Sequence, residues 1–435
     1  MVGPIKKSFL LAFVVAGTCH ASLGDSGRCQ AAVMIDFVKV GNPGNPPQPN
    51  VIKRDDLSSG YGRVDYEFQI AKYETTNDQF IAFLNSVATT DTYGLYDSRM
   101  ETAFLGGIVR SGSNGSYSYS AKPHMGNKPV VYVSAYDSAR FANWLQNGQP
   151  VGLQDASTTE DGAYTLSGPN SMSGRNAGAL YFLPTEHEWD KAAFYEPGAN
   201  TRIGDGWWIY PSHSQVFPTP AEADEFGNVT NPGLYTVNFR KEANWNGSGE
   251  FGNLTTVGSA GNTSFYGAMD MAGNVFEWTE ADPTKPDPNG WGPYTVRGGS
   301  FRNAGHVDIY ERNLMHHDNH NITNFDVGLR LAAAAVIYTA DFNGDGAVDG
   351  ADLARWKANF GLGTGATKSL GDANGDGAVN GGDFIAWQQQ LGSGVVAPIA
   401  GAVAVVPEPA ALGLLLIASL ASFPFLRRGA SPRGM

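Results

Sequence analysis

The sequence predicts a loop-rich globular protein that contains both strands and helices, followed by a small module built from a repeat. Glycine is abundant, with 55 residues, and aromatic residues make up 11% of the chain against 16% for charged residues. This balance is typical of a packed domain with little regular structure and does not fit a disordered chain. A repeat between residues 341 and 392 marks the separate module.

Strand and helix signals follow one another in the first part of the chain. Residues 33–40 and 66–74 have strand-like patterns, and a Gly/Pro/Asn loop at 41–50 follows the first. Three helix starts place a hydroxyl side chain three residues before an amide or acid, as a capping box requires. The pairs are Thr76 with Gln79, Ser134 with Asp137, and Thr185 with Glu188.

Each of these helix starts precedes an apolar stripe at helical spacing, which predicts the buried face. The stripes are Phe80, Phe83 and Leu84; Phe141, Trp144 and Leu145; and Trp189 and Ala192. We interpret Glu186 and Glu188 as favourable charges at a helix start rather than as an acid/base pair. Residues 95–125 and 150–178, rich in Gly, Ser and Asn, are expected to form long surface loops.

Charge and cysteine content exclude several classes of protein. The net charge is -13 and no basic stripe is visible, which argues against a nucleic-acid partner. Residues 1–21 have the lysines, apolar run and small-residue site of a secretory signal peptide. The two cysteines are Cys19 and Cys29, so cleavage would leave Cys29 alone and no internal disulfide.

The repeat contains two twelve-residue loops with the ligand pattern of a calcium loop. Oxygen side chains stand at positions 1, 3 and 5, glycine at 6, and a backbone carbonyl at 7. Position 12 is Asp in both copies, where an EF-hand has Glu. The alternative is an acidic, Gly-rich linker. The candidate ligands are Asp341, Asn343, Asp345, Ala347, Asp349 and Asp352, and Asp372, Asn374, Asp376, Ala378, Asn380 and Asp383.

A second candidate cation site is the stretch 267–280, GAMDMAGNVFEWTE. Gly273 permits a bend, and the acids Asp270 and Glu277 flank it. Their oxygens and the turn carbonyls would converge on one hard cation. Alternatively, this is a tight turn between core segments in which Glu277 caps backbone donors, and the spacing does not separate the two.

Six ordered motifs, including this stretch, resemble the formylglycine-generating enzyme family, also called sulfatase-modifying factors. The resemblance implies an α+β, C-type-lectin-like fold with little regular secondary structure over residues 32–334. The other five motifs are QIAKYETTNDQFIAFLN (69–85), PVVYVSAYDSARFANWL (129–145), YFLPTEHEWDKAAF (181–194), VRGGSF (296–301) and VGLRLA (327–332).

The resemblance also implies site residues, and two of them are missing. The family's enzymes oxidise a target cysteine through two copper-binding cysteines, whose positions here hold Asn303 and Asp308. Oxygen groups bind Cu(I) poorly, so the activity does not transfer. The family's calcium ligands match Asp270, Gly273, Val275 and Glu277, with Gly273 and Val275 acting through carbonyls. Asn244 and Trp245 match the start of a second site.

Four histidines cluster between the last two motifs, at positions 306, 316, 317 and 320. A related branch, the ergothioneine-type sulfoxide synthases, binds iron through histidines, so His306, His316, His317 and His320 are candidates for an iron or zinc site. That branch takes its histidines from an extra helical domain, which this chain lacks. A polar surface loop is therefore the preferred interpretation.

The repeat at 341–392 resembles a type I dockerin, and residues 406–428 resemble a PEP-CTERM sorting tail. The tail has Pro-Glu-Pro, then a C-terminal hydrophobic helix of short span, then arginines. This implies transient anchoring in the inner membrane and cleavage by an exosortase-type enzyme. A plain anchor helix is the alternative.

Together these features predict an exported, calcium-stabilised protein of the cell surface or extracellular matrix, with a non-catalytic binding or structural role. Its main-domain cleft would hold an unknown ligand. The module's candidate partners are a cohesin-like protein or a surface polysaccharide. Two alternatives remain: an oxidoreductase of the same superfamily with altered metal ligands, or a dockerin-bearing component of a carbohydrate-associated assembly.

Overall fold

The computed structural model describes residues 32–49, 60–280, 294–303, 312–313, 323–335, 338–345 and 347–393. These residues fall into two compact units, a larger one before Tyr338 and a smaller one from Tyr338 onward. The helices are α1 (Asn77–Val87), α2 (Arg99–Thr102), α3 (Ala135–Gln146), α4 (Glu186–Phe194), α5 (Gly350–Asn359) and α6 (Gly381–Gln390). Two 3-10 turns cover Gly249–Phe251 and Lys368–Leu370.

All described strands belong to the larger unit, and most are short. They are β1 (Phe37–Val40), β2 (Phe68–Ala71), β3 (Ile108–Ser111), β4 (Ser118–Ala121), β5 (Tyr181–Phe182), β6 (Thr219–Pro220), β7 (Thr236–Val237), β8 (Phe276–Glu280), β9 (Tyr294–Arg297), β10 (Arg312–Asn313), β11 (Val327–Gly328) and β12 (Ala332–Ala334). Helices and short strands therefore mix along the chain, as the α+β class requires.

Two four-stranded sheets organise the larger unit. The first has the order β1-β2-β12-β5, in which β12 pairs antiparallel with both β2 and β5 and so brings the two ends of the unit together. The second has the order β10-β9-β8-β11. In it β8 pairs antiparallel with β9, placing Glu277 opposite Arg297, and parallel with β11, placing Phe276 beside Val327.

The three predicted capping boxes are confirmed. Thr76, Ser134 and Thr185 are extended N-cap residues, and each accepts a hydrogen bond from the backbone N–H three residues on. The reciprocal bond from the N-cap N–H is present in all three helices. A cap of this kind stabilises a helix by about 1 kcal/mol, which fixes where α1, α3 and α4 begin.

The predicted apolar stripes form the main core. Phe80, Phe83, Phe141 and Trp144 are buried, and the ring of Phe83 lies 5.4 Å from those of Phe141 and Trp144. Because truncating a core aromatic costs about 3–5 kcal/mol, this cluster fixes α1 against α3. A second cluster surrounds the buried Trp189 on α4.

The prediction of surface loops at 95–125 and 150–178 was wrong in part. The first segment contains α2 and a hairpin of β3 and β4, in which Ile108 pairs with Ala121. It also contributes Leu95, Met100 and Ile108 to the core. The second segment contributes the fully buried Tyr164. These segments are rich in polar residues, and their buried apolar residues are isolated, without the spacing of a helix or a strand. The sequence pattern therefore did not predict their burial.

The smaller unit packs α5 and α6 around Phe342, Val348 and Trp387, with Trp356 and Phe384 partly buried. Two large apolar side chains of the module lie outside this core. Phe360 and Leu391, which follow the last turns of α5 and α6, are 60% and 54% exposed. No helix among the described residues is long and apolar enough to cross a membrane. The predicted signal peptide (1–21) and tail (406–428) lie outside those residues.

Candidate metal sites and the buried charge network

The bend before β8 is built from residues in left-handed backbone conformations. Asp270, Gly273 and Asn274 have φ values of 56°, 75° and 57°. A Cβ at position 273 would collide with the backbone carbonyl oxygen of Asn238, so only glycine fits. This geometry turns Asp270 and Glu277 into the interior, where both are buried.

Glu277 is one half of a buried ion pair. Arg330 Nη2 lies 2.7 Å from Glu277 Oε1, and Arg330 Nε lies 2.9 Å from each carboxylate oxygen. Trp189 Nε1 donates to Oε2 at 2.6 Å. The alternative in which Glu277 caps backbone donors is therefore wrong, because the partners of its carboxylate are an arginine and an indole.

Asp270 and Glu74 add two more buried carboxylates to this region. Asp270 accepts the backbone N–H of Gly258, and burial raises its pKa to about 6. Burial, and then the charge of Asp270, hold the pKa of Glu74 well above its ordinary range. Asn274 donates to Glu74 Oε2 at 3.1 Å, whereas Oε1 has no hydrogen-bond partner among the described residues.

Three carboxylates and one guanidinium leave this interior region with surplus negative charge when all are ionised. Buried charge of this kind requires a cation or protons. No three acid, histidine or cysteine side chains within the described residues are arranged to hold a metal. A cation here would consequently depend on one or two carboxylates together with carbonyl oxygens, the donor set that calcium accepts.

The second candidate site lies in the loop that leads to the 3-10 turn at 249–251. The side-chain amide of Asn244 faces the carbonyl oxygens of Gly249 and Lys241, and its nitrogen would donate to both once the amide is turned over. With its amide oxygen turned toward them, three oxygens would meet as cation ligands do. However, Lys128 Nζ already lies 5.0 Å from the centre of the Trp245 ring, which supplies a positive charge beside this loop.

The two loops of the smaller unit are closed by the acid at position 12. In the first, Asp352 Oδ1 accepts the N–H groups of Phe342 and Asn343 at 2.7 and 3.1 Å, and Oδ2 accepts that of Asp349 at 2.9 Å. In the second, Asp383 does the same for Ala373, Asn374 and Asn380 at 2.8, 3.2 and 2.8 Å.

The early loop positions also correspond. The first aspartate of each loop accepts the N–H of the glycine three residues on, at 2.7 Å in both copies. The amide at position 3 donates to the carboxylate at position 5, at 2.7 Å in one loop and 3.1 Å in the other. Positions 1, 3, 5 and 12 therefore have the same hydrogen-bond arrangement in both loops.

Similarity to known protein families shows which family this chain belongs to. Residues 61–335 match the sulfatase-modifying factor enzyme 1-like domain. The chain belongs to the sulfatase-modifying factor family. Residues 339–392 match the dockerin type I domain. The resemblances to the sulfatase-modifying factors and to a type I dockerin are thereby confirmed.

Three solved structures resemble this sulfatase-modifying-factor protein. CarF is 22% identical and covers 69% of this chain and 99% of its own, with a TM-score of 0.40. Variable protein 1 of Treponema denticola is 18% identical and covers 70% and 96%, with a TM-score of 0.41. PvdO from Pseudomonas aeruginosa is 17% identical and covers 69% and 94%, with a TM-score of 0.35. No curated protein matches the chain.

Asn303, which the motif resemblance places at the family's first cysteine, closes a turn on the RGGS segment. Asn303 Oδ1 accepts the N–H of Ser300 at 2.7 Å and lies 3.1 Å from its hydroxyl oxygen. The Ser300 hydroxyl also lies 3.0 Å from Asp326 Oδ2. Burial raises the pKa of that aspartate. Asp308 and the four candidate histidines lie outside the described residues.

The sequence analysis did not predict two further sets of buried ion pairs in the sulfatase-modifying-factor domain. Glu188 caps α4 as predicted, but it also accepts from Arg175 Nη2 at 2.9 Å, and Arg175 reaches Glu280 at 3.0 Å. Arg297 Nη2 lies 3.2 Å from both Glu186 Oε1 and Asp190 Oδ2. The only sequence signal was the presence of charged residues inside otherwise apolar motifs.

Proposed function

We propose that this protein binds a ligand through its sulfatase-modifying-factor domain and does not make formylglycine. The observation that carries the proposal is the contact between Asn303 and Ser300. Where the family resemblance places a copper-binding thiolate, the side chain is an amide that closes a turn on its own backbone. Cu(I) selects soft sulfur ligands, and this position offers a hard oxygen.

The proposed domain boundaries are 32–334 and 341–392, with the sulfatase-modifying-factor domain retained as a scaffold. Strand β1 supports the earlier start, because it lies before the family match yet pairs with β2 along its whole length. Residues 301–326 are the segment proposed to select the ligand, which would bind beside the Arg297–Ser300 motif.

We assign calcium as the stabilising ion. In the main domain the ligands would be Asp270 and Glu277, with the carbonyls of Gly273 and Val275, and the surplus of buried carboxylate charge supports this. Asn244 and Trp245 are the candidate ligands of a second ion. In the dockerin module the two loops would each take one ion through the residues at positions 1, 3, 5, 7, 9 and 12.

The dockerin match supports a docking role as part of a carbohydrate-associated assembly. Dockerin domains pair with cohesin partners, so a cohesin-like protein is the proposed partner of residues 341–392, with a surface polysaccharide as the other candidate. Such modules also favour an extracellular or cell-surface location. Export through the signal at 1–21 and exosortase-type cleavage at the 406–428 tail complete the proposal.

Metal analysis of the purified full-length protein tests the ligand-binding function against an altered enzyme. We expect calcium, and neither copper nor iron at one atom per chain. Stoichiometric copper or iron would instead support an oxidoreductase with new ligands, for which the four histidines are the candidates. Mass spectrometry of the exported form tests the sorting part separately. It should begin near Ser22 and lack residues 410–428, and an intact tail on a surface-exposed product would contradict it.

A further inference from the structure

Two tryptophans of the dockerin module form hydrogen bonds across the repeat. Trp356 on α5 donates its indole N–H to the carbonyl oxygen of Asn380 at 2.9 Å. Trp387 on α6 donates its indole N–H to the carbonyl oxygen of Asp349, also at 2.9 Å. Asp349 and Asn380 are the ninth residues of the two loops and the N-caps of α5 and α6. Each helix therefore holds the N-cap residue of the other.

Backbone hydrogen bonds follow the same crossed pattern. The eighth loop residue Val348 donates to Ser393 at 2.8 Å and accepts from Gly392 at 2.9 Å, just after α6. The eighth residue of the other loop, Val379, donates to Leu362 at 2.8 Å and accepts from Gly361 at 2.9 Å, just after α5. The end of each repeat is thus joined to the loop of the other.

The residue that each indole holds is part of its loop's closure. Asp349 donates its N–H to Asp352 Oδ2, and Asp352 Oδ1 accepts from the start of the same loop. Asn380 and Asp383 repeat this arrangement in the second loop. Displacing the ninth residue would therefore move the twelfth, a proposed calcium ligand, relative to the first positions of the loop.

We propose that Trp356 and Trp387 are positioning residues that couple the two calcium loops crosswise. Trp387 on α6 sets the calcium affinity of the first loop, and Trp356 on α5 sets that of the second. This inference rests on the proposed calcium binding by the module and adds a cooperative link between its two sites.

The test uses the full-length protein with one loop disabled at a time. The double substitution Asp372→Ala and Asp376→Ala disables the second loop and leaves the first able to bind calcium. The double substitution Asp341→Ala and Asp345→Ala disables the first loop and leaves the second. A variant with all four changes gives the calcium uptake of the main domain, which is subtracted in calorimetric titrations. Each indole is then changed to phenylalanine, which keeps an aromatic ring and removes the N–H donor.

Trp387→Phe should weaken calcium binding about five-fold in the protein that retains the first loop, and by less than about two-fold in the other. Trp356→Phe should do the reverse. The five-fold figure corresponds to one lost hydrogen bond of ordinary strength. A smaller ring also loses packing, and Phe384→Leu is the matched control for this. The ring centre of Phe384 lies 4.9 Å from that of Trp356 and 5.7 Å from that of Trp387. The counterpart of Phe384 in the first repeat is Leu353.

Phe384→Leu should affect both loops to a similar extent. Equal effects of each indole change on the two loops, or effects confined to its own loop, would overturn the crosswise coupling while leaving calcium binding intact. If the unmodified protein takes up no more calcium than the variant with all four changes, both the proposed calcium binding by the module and the crosswise coupling are wrong. Circular dichroism at saturating calcium checks folding.

If a single-loop protein does not fold, the protein with both loops intact provides the test. It should bind calcium cooperatively and lose that cooperativity when both indoles are changed. Unchanged steepness would contradict the inference.

Discussion

Arg330 binds both carboxylate oxygens of Glu277 in an interior where neither side chain is more than 1% exposed. The same guanidinium donates to the carbonyl oxygens of Ala71 and Met269 at 2.9 and 2.8 Å. One arginine therefore joins the end of β2, the bend before β8, and β8 itself. This places the ion pair at the junction of the two sheets.

Glu277→Ala should destabilise the whole domain. Removing the carboxylate leaves Arg330 buried with its main counter-charge gone, which costs about 3–5 kcal/mol of unfolding free energy. Urea unfolding in the presence of a chelator measures this without any contribution from bound calcium. Glu242→Ala, at an exposed position, is the control and should change the unfolding free energy by less than about 0.5 kcal/mol. If Glu277→Ala lowers the unfolding free energy by less than about 1 kcal/mol, the stabilising role assigned to the Glu277–Arg330 ion pair is wrong.

Asp137 should make stability fall as the pH rises. Burial raises its pKa to about 6, although Ser134 donates two hydrogen bonds to it. Because the folded-state pKa lies above that of the unfolded chain, its contribution is fully present below about pH 4 and is lost as the pH rises through about 6. A shift of this size corresponds to about 3 kcal/mol.

The measurement compares wild type with Asp137→Asn, so that other titrating groups cancel. The stability of wild type relative to the variant should decrease between pH 4 and 7. A difference that stays constant, or that grows with pH, would show that the carboxylate is already ionised in the folded protein at low pH.

Asn303→Ala should cost about 1 kcal/mol of unfolding free energy, since the Ser300 N–H loses its acceptor. Asn303→Asp keeps an acceptor oxygen and should recover most of that loss. Thermal unfolding of the three proteins decides this. Equal stabilities for alanine and aspartate at this position would mean that the turn does not depend on the side chain.

Local features of the fold could be predicted because their information lies within a few residues. Thr76 and Gln79 specify a capping box without reference to the rest of the chain, and the twelve-residue loops carry their own ligand spacing. The partners of Glu277 could not be predicted in this way, since Trp189 and Arg330 lie 88 and 53 residues away along the sequence.

The exposed positions of Phe360 and Leu391 show a second limit of prediction from the sequence. Both continue the apolar spacing of their helices, but each helix ends one residue earlier, so the side chains leave the core. The positions of Trp356 and Trp387 in the sequence do not predict the hydrogen bonds that their indoles make. Their N–H groups find carbonyls of the opposite repeat, which becomes visible only when the two repeats pack together.

The claim that the reaction centre has been lost is tested most directly by the family's own reaction. Copper-supplemented full-length protein is incubated in air with a sulfatase-type cysteine peptide, and the peptide is read by mass spectrometry. We expect the cysteine to remain unconverted, because Asn303 and Asp308 supply no thiolate for copper and Cys29 supplies only one. Formylglycine in that peptide would contradict the non-catalytic assignment.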